Sequence, residues 1–190
     1  ATDEAGNVGV DQSLDELTID TTPVVIAGED QIGDEGLPVN VMATFADGNP
    51  GDSHLAVIDW GDESTAEAGL VTESQGVGTV TGSHTYYQHG VYTITITVTD
   101  SQGKSDEAGL TVTVNDLRPQ AVLTGDTELE IDQNGTYDAS GSTSWPDAIV
   151  SYEWDWSYYG TTFNPSTDLG QVQSHAWADT GTYVVAVRVT

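Results

Sequence analysis

The chain has 190 residues, a formal net charge of −28 and three basic residues, Lys104, Arg118 and Arg188. So few cations argue against a nucleic-acid partner or an anionic membrane surface, because both need Lys or Arg to meet phosphate, and the acidity favours metal cations or a salty medium in which acidic surfaces stay solvated. Cysteine is absent, which excludes disulfides and thiol chemistry, and no apolar run is long enough for direct insertion into a membrane.

Residues 1–21 read as the last hairpin arm of a preceding or neighbouring domain. A turn at Thr2-Asp3 and a predicted strand at 14–19 match the Thr99-Asp100 turn and the strand at 110–114. Each pair is followed by a polar linker and a proline, Pro23 or Pro119.

Domain one is predicted over 22–117. Strands are expected at 24–26, 39–45, 55–60, 76–85 and 93–99, with acidic, glycine-punctuated turns at 28–36 and 47–52. From Thr93 to Thr99 the alternation is strict, with Ile94, Ile96 and Val98 on one face and threonines on the other. No segment longer than a turn shows helical periodicity.

Domain two is predicted over 118–190, opening with a strand at 121–123. An apolar stretch at 129–131 leads to Asn134-Gly135, and a loop through Asp147 precedes a strand at 149–156 with Tyr152, Trp154 and Trp156 on one face. The pattern from His84 to Tyr92 recurs from His175 to Tyr183 with the same eight-residue spacing, so the chain holds an internal repeat. Domain two reaches Thr190 without a closing turn and strand, and is read as lacking its last strand. Placed after Val189-Thr190, Ala1-Thr2-Asp3 continues that strand into its turn, which points to copies joined head-to-tail, as a tandem array or by strand complementation.

Short strands, Gly/Asn/Asp turns and no helix imply an all-β sandwich. Tyr92 and Tyr183 each follow a Gly-x corner and fit tyrosine corners, with the hydroxyl bonded to backbone across the turn. The set Ile58-Asp59-Trp60-Gly61-Asp62, His84-Thr85-Tyr86, Gly90-Val91-Tyr92 and Val98-Thr99-Asp100 resembles the PKD (polycystic kidney disease) domain, an immunoglobulin-like sandwich. A second copy of the set begins at Trp154-Asp155-Trp156 but has Ser157-Tyr158 where Gly-Asp is usual. The resemblance implies two tandem immunoglobulin-like sandwiches and a non-enzymatic module. Trp154 is the expected anchor of domain two, with Ile58 in its place in domain one, and Trp60 is a further structural residue. His84 and His175, at matched positions, are expected to make structural hydrogen bonds, whereas His54 and His89 are expected at the surface. No nucleophile-elbow spacing accompanies the Ser, His and Asp residues.

In such a sandwich the incoming linker, the second-to-third-strand loop and the last hairpin loop gather at one end. For domain one that end holds Asp20, Asp47, Asp52 and Asp100; for domain two it holds Asn115, Asp116 and Asp147, with Asp3 if the arm docks there. These oxygens are candidate calcium ligands, and PKD-like and cadherin-like domains resemble this in placing calcium at the linker. The expected function is a structural repeat module of an extracellular or cell-surface filament, stalk or adhesin, stiffened by calcium and assembling with copies of itself. The alternative is a spacer or carbohydrate-binding accessory module of a secreted hydrolase, with Trp145, Tyr158 and Tyr159 stacking on glycans. Asn134-Gly135-Thr136 is a glycosylation sequon in a predicted turn.

Overall fold

The computed structural model describes residues 4–6 and 19–190. Asp3 and nearly all of the predicted arm and its strand lie outside the described residues. Within them the chain is all-β, in a sandwich-like arrangement.

Eight strands build the first sheet: β1 (Val24–Ile26), β2 (Gln31–Asp34), β3 (Pro38–Ala46), β4 (His54–Asp59), β5 (Glu67–Ser74), β6 (Val77–Thr85), β7 (Gly90–Asp100) and β8 (Ser105–Asn115). Their order is β1-β3-β6-β5-β4-β7-β8-β2. β1, β3 and β6 make one layer; β4, β7, β8 and β2 make the other. β5 passes between them: residues 67–69 pair with β4, and 70–74 pair with β6.

The crossing needs a residue without a side chain. A Cβ on Gly69 would lie 2.5 Å from Val80 Cγ1 and 3.1 Å from the Ala56 Cβ, directly over the core. That core follows the predicted alternation. β3 buries Val39, Val41, Ala43 and Phe45, and β7 buries Ile94, Ile96 and Val98, with Trp60 and Val112 completing the fill.

Two expectations for this region are corrected. Residues 28–36 are not only a turn, because β2 runs inside them and pairs in parallel with β8, Gln31 opposite Val112 and Asp34 opposite Asn115. β5 has no counterpart among the expected strands. Both strands are held through their main chains, with Ile32 79% and Leu70 69% exposed and Val71 of β5 packed only partly against the core, so neither carries a buried alternation.

Beyond residue 117 the strands are shorter: β9 (Thr124–Gly125), β10 (Gly135–Asp138), β11 (Tyr152–Asp155), β12 (Val172–His175) and β13 (Ala186–Val189). They form a sheet of order β12-β10-β9 and a two-stranded pair of β11 with β13. The strand expected at 121–123 lies instead at Thr124–Gly125, and Gln120 bridges to Thr143. The core here is aromatic, with Tyr137, Trp154 and Trp156 buried.

Candidate functional site

One aromatic ladder occurs twice. In the first copy Trp60 stacks on His84 (ring centroids 4.9 Å, 15° between planes), His84 meets the Tyr86 ring edge-on at 4.9 Å, and Tyr86 stacks on Tyr92 at 4.5 Å. In the second Trp156 stacks on His175 (4.5 Å, 6°), His175 meets Trp177 edge-on at 4.6 Å, and Trp177 stacks on Tyr183 at 5.0 Å. Both tyrosine corners are present: Tyr92 donates to Gln88 O at 2.8 Å and Tyr183 to Asp179 O at 3.1 Å. Tyr86 donates to Trp60 O at 2.8 Å, and burial pushes its hydroxyl far above the ordinary tyrosine value. Trp154 and Ile58 are both fully buried, as expected of the two anchors.

The histidines divide. His84 Nε2 sits 2.8 Å from Asp62 Oδ2, a structural hydrogen bond as expected. His175 is held by stacking, and its expected hydrogen bond is replaced for a reason visible in the motif: Tyr158 stands at the position of Asp62, so the carboxylate is gone. Burial lowers its pKa below the ordinary value against the opposing charge of Asp168. Both copies keep an aspartate-capped turn, with Asp59 accepting from Gly61 N at 2.9 Å and Asp155 from Ser157 N at 3.0 Å.

His54 is a correction. It is 5% exposed rather than at the surface, since it stands in phase with the inward residues Ala56 and Ile58 of β4. Its Nδ1 lies 2.6 Å from Glu73 Oε2 and its Nε2 3.2 Å from Asp47 Oδ2. Burial opposes the imidazolium, but hydrogen bonds to Asp47 and Glu73, reinforced by their charges, outweigh it and raise the pKa above the ordinary 6.5. Asp47 is likewise pushed up by burial, yet hydrogen bonds from Thr21, Asn49 N and His54 hold it below the usual carboxylate range.

The same phase explains Asp100. It continues the inward series Ile94, Ile96, Val98 to the end of β7 and is 5% exposed. There it meets Asp52, from the β3–β4 loop, and Asp20, from the incoming linker, with one oxygen of each carboxylate within 4.8 Å of the others. The linker is tied down by hydrogen bonds to Asn49: Thr21 N donates to Asn49 Oδ1 at 2.7 Å, and Asn49 Nδ2 to Ile19 O at 3.1 Å.

Each carboxylate in this trio has one oxygen occupied and one free. Asp100 Oδ1 accepts from Gln102 N and Lys104 N, both at 2.9 Å, while its Oδ2 is buried without a hydrogen bond. Asp52 Oδ1 takes Gln102 Nε2 at 3.1 Å, and its Oδ2 is free. Asp20 Oδ2 pairs with Lys104 Nζ at 3.1 Å, and its Oδ1 is free.

Residues 20–114, half of the chain, match the family model described as PKD domain. The chain belongs to the PKD domain family. A curated relative from Mus musculus, Dyslexia-associated protein KIAA0319-like protein, is 32% identical over 175 residues, which is 90% of this chain and 16% of that protein. The chain therefore spans about a sixth of the length of this relative. Among solved structures, dimeric latent PorU from Porphyromonas gingivalis aligns with a TM-score of 0.40 and 16% identity over 91% of this chain and 17% of that one. The SrpA adhesin from Streptococcus sanguinis aligns with a TM-score of 0.36 and 13% identity over 63% and 69%.

In this PKD domain the phase of β7 thus turns Asp100 inward, where the linker and the β3–β4 loop bring Asp20 and Asp52 to it, while Asp47 joins a separate network with His54. The other candidate set is dispersed among the described residues. Asn115 Nδ2 donates to Asp34 Oδ1 at 3.0 Å, Asp116 approaches Glu35 and His89, and Asp147 is exposed. Asn134 is exposed immediately before β10.

Proposed function

We propose that the chain is a non-catalytic structural module of an extracellular or cell-surface filament, stalk or adhesin, in which calcium at Asp20, Asp52 and Asp100 stiffens the incoming linker. The carrying observation is a cluster of three carboxylates, one oxygen of each within 4.8 Å of the others, in which every residue also has one buried oxygen without a hydrogen-bond partner. An unpaired buried carboxylate oxygen is costly, and Lys104 supplies one positive charge to three negative ones. Calcium takes six to eight oxygens, so these carboxylates with carbonyls and waters meet its needs. The recurrence of one aromatic ladder in two parts of the chain supports two tandem sandwiches, at 22–117 and 118–190, and head-to-tail assembly with further copies.

A second reading, a carbohydrate-binding or spacer module of a secreted hydrolase, is favoured by Trp145 and Tyr159, which are 62% and 86% exposed. Tyr158 instead turns toward Phe163, with ring centroids 6.4 Å apart.

Titration calorimetry with calcium tests the first reading. One saturable site is expected, weakened at least tenfold by Asp100→Asn and by Asp52→Asn, while Asp147→Asn leaves it unchanged. Heats that do not saturate, or that ignore both substitutions, would overturn it.

A further inference from the structure

At the opposite end of β7 from Asp100, about 33 Å along the strand, lies a second group of ligating side chains with a different chemistry. Glu35 follows β2, His89 precedes β7, and Asp116 follows β8; one ligand atom from each lies within 4.8 Å of the others. The parallel pairing of β2 with β8 sets two of them side by side, and Glu35 N donates to Asn115 O at 3.1 Å.

Glu35 is the unusual member. Its residue is 0% exposed, yet it carries a carboxylate. Oε1 accepts from Leu117 N at 2.9 Å. Oε2 is buried, makes no hydrogen bond and faces His89 Nδ1 at 3.9 Å. A carboxylate oxygen held in this way, dry on one side and facing an imidazole nitrogen, is costly to bury without a further partner. His89 and Asp116 are exposed and have room to adjust.

We propose that Glu35, His89 and Asp116 bind a zinc-class divalent ion. One imidazole and two carboxylates form a donor set that zinc accepts, with a fourth position left for water. Imidazole nitrogen is a poor ligand for calcium, which takes oxygen, and a good one for zinc. Ligand atoms of a tetrahedral zinc site stand about 3.3 Å apart, so closing the 3.9 Å gap between Glu35 and His89 needs only a small movement of the exposed imidazole.

The position gives the ion a mechanical role. Glu35 already holds Leu117, the second residue past β8, and Trp145 covers the neighbouring Gly36 while its ring meets that of Tyr87 edge-to-face at 6.3 Å. An ion here fastens the outgoing linker beside that contact, as the acidic trio fastens the incoming one.

Calorimetry with zinc chloride, on the full chain in excess calcium, separates this site from the oxygen-only trio. One zinc per chain is expected, with affinity reduced at least tenfold in His89→Gln, abolished in Glu35→Gln and unaltered in Asp52→Asn. Zinc should also shift the His89 imidazole NMR signals and leave those of His54, His84 and His175 in place. No zinc uptake in calcium, uptake that His89→Gln does not change, or shifts at another histidine would overturn the proposal. His89 is exposed, so its variant keeps the fold and the test remains decisive.

Discussion

At the scale of single residues, strand phase decides chemistry. Asp47, His54 and Asp100 occupy positions in phase with β3, β4 and β7 that elsewhere hold valine or isoleucine, so each is buried and must find a partner. His54 is satisfied best in its charged form, between Glu73 and Asp47. Its pKa is raised on folding, so the stabilisation is fully present below the ordinary 6.5 and is lost as pH rises through the folded value. Asp47 works in the opposite direction: its lowered pKa stabilises above the ordinary 3.8, and that contribution is lost as pH falls. Denaturant unfolding measured from pH 6 upward should therefore show stability declining with pH, and His54→Gln should flatten that limb. An identical limb in the variant would show that His54 is not its source.

Gly61 is the other residue on which the local structure depends. Its φ is +74°, and a Cβ there would collide with Thr93 O. Gly61→Ala should cost about 1–3 kcal/mol, from strained backbone alone, and more once the β7 backbone has to shift. The second copy places Ser157 at this point and keeps the aspartate-capped turn without a positive φ there. Ser157→Gly should therefore change stability by less than about 1 kcal/mol, and urea unfolding of the two variants checks the contrast.

At the scale of elements, what was legible in the sequence was what repeats. β3 and β7 alternate strictly, and both ladders keep the spacing from histidine to tyrosine. β2 and β5 were not legible, because an edge strand and a strand changing layers are fixed by main-chain pairing and bury little of their own. Without β2 in the pattern, Glu35 reads as a turn residue, and nothing in the sequence brings it to His89 and Asp116. The burial of His54 did leave a signal, its even spacing from Ala56, Ile58 and Trp60. The layer change of β5 is itself testable. Gly69→Val pushes three carbons into space held by Val80, Ala56 and Ile58; overpacking of this kind costs about 1–3 kcal/mol or more. The variant should unfold at correspondingly lower urea, and amide exchange should accelerate first in β5. Protection in β5 equal to wild type would show that the crossing tolerates a side chain.

At the scale of the molecule, the first sheet carries an ion-ready cluster at each end, one on the incoming linker through Asp20 and one on the outgoing linker through Asp116. A chain with 31 acidic residues and three basic ones repels itself, and the cations proposed where the linkers leave the sandwich would relieve that repulsion where bending would otherwise occur. The proposed structural role would thus follow from the acidic composition, and an extended, calcium-dependent module is the behaviour that proposal expects in solution.

The most direct measurement is a crystal structure of the chain grown in calcium, with anomalous scattering used to place the ion. Calcium is expected between Asp20, Asp52 and Asp100, with the three free carboxylate oxygens at about 2.3–2.6 Å from it. A trio whose free oxygens face only one another or water, with calcium absent or bound elsewhere, would contradict the proposed stiffening.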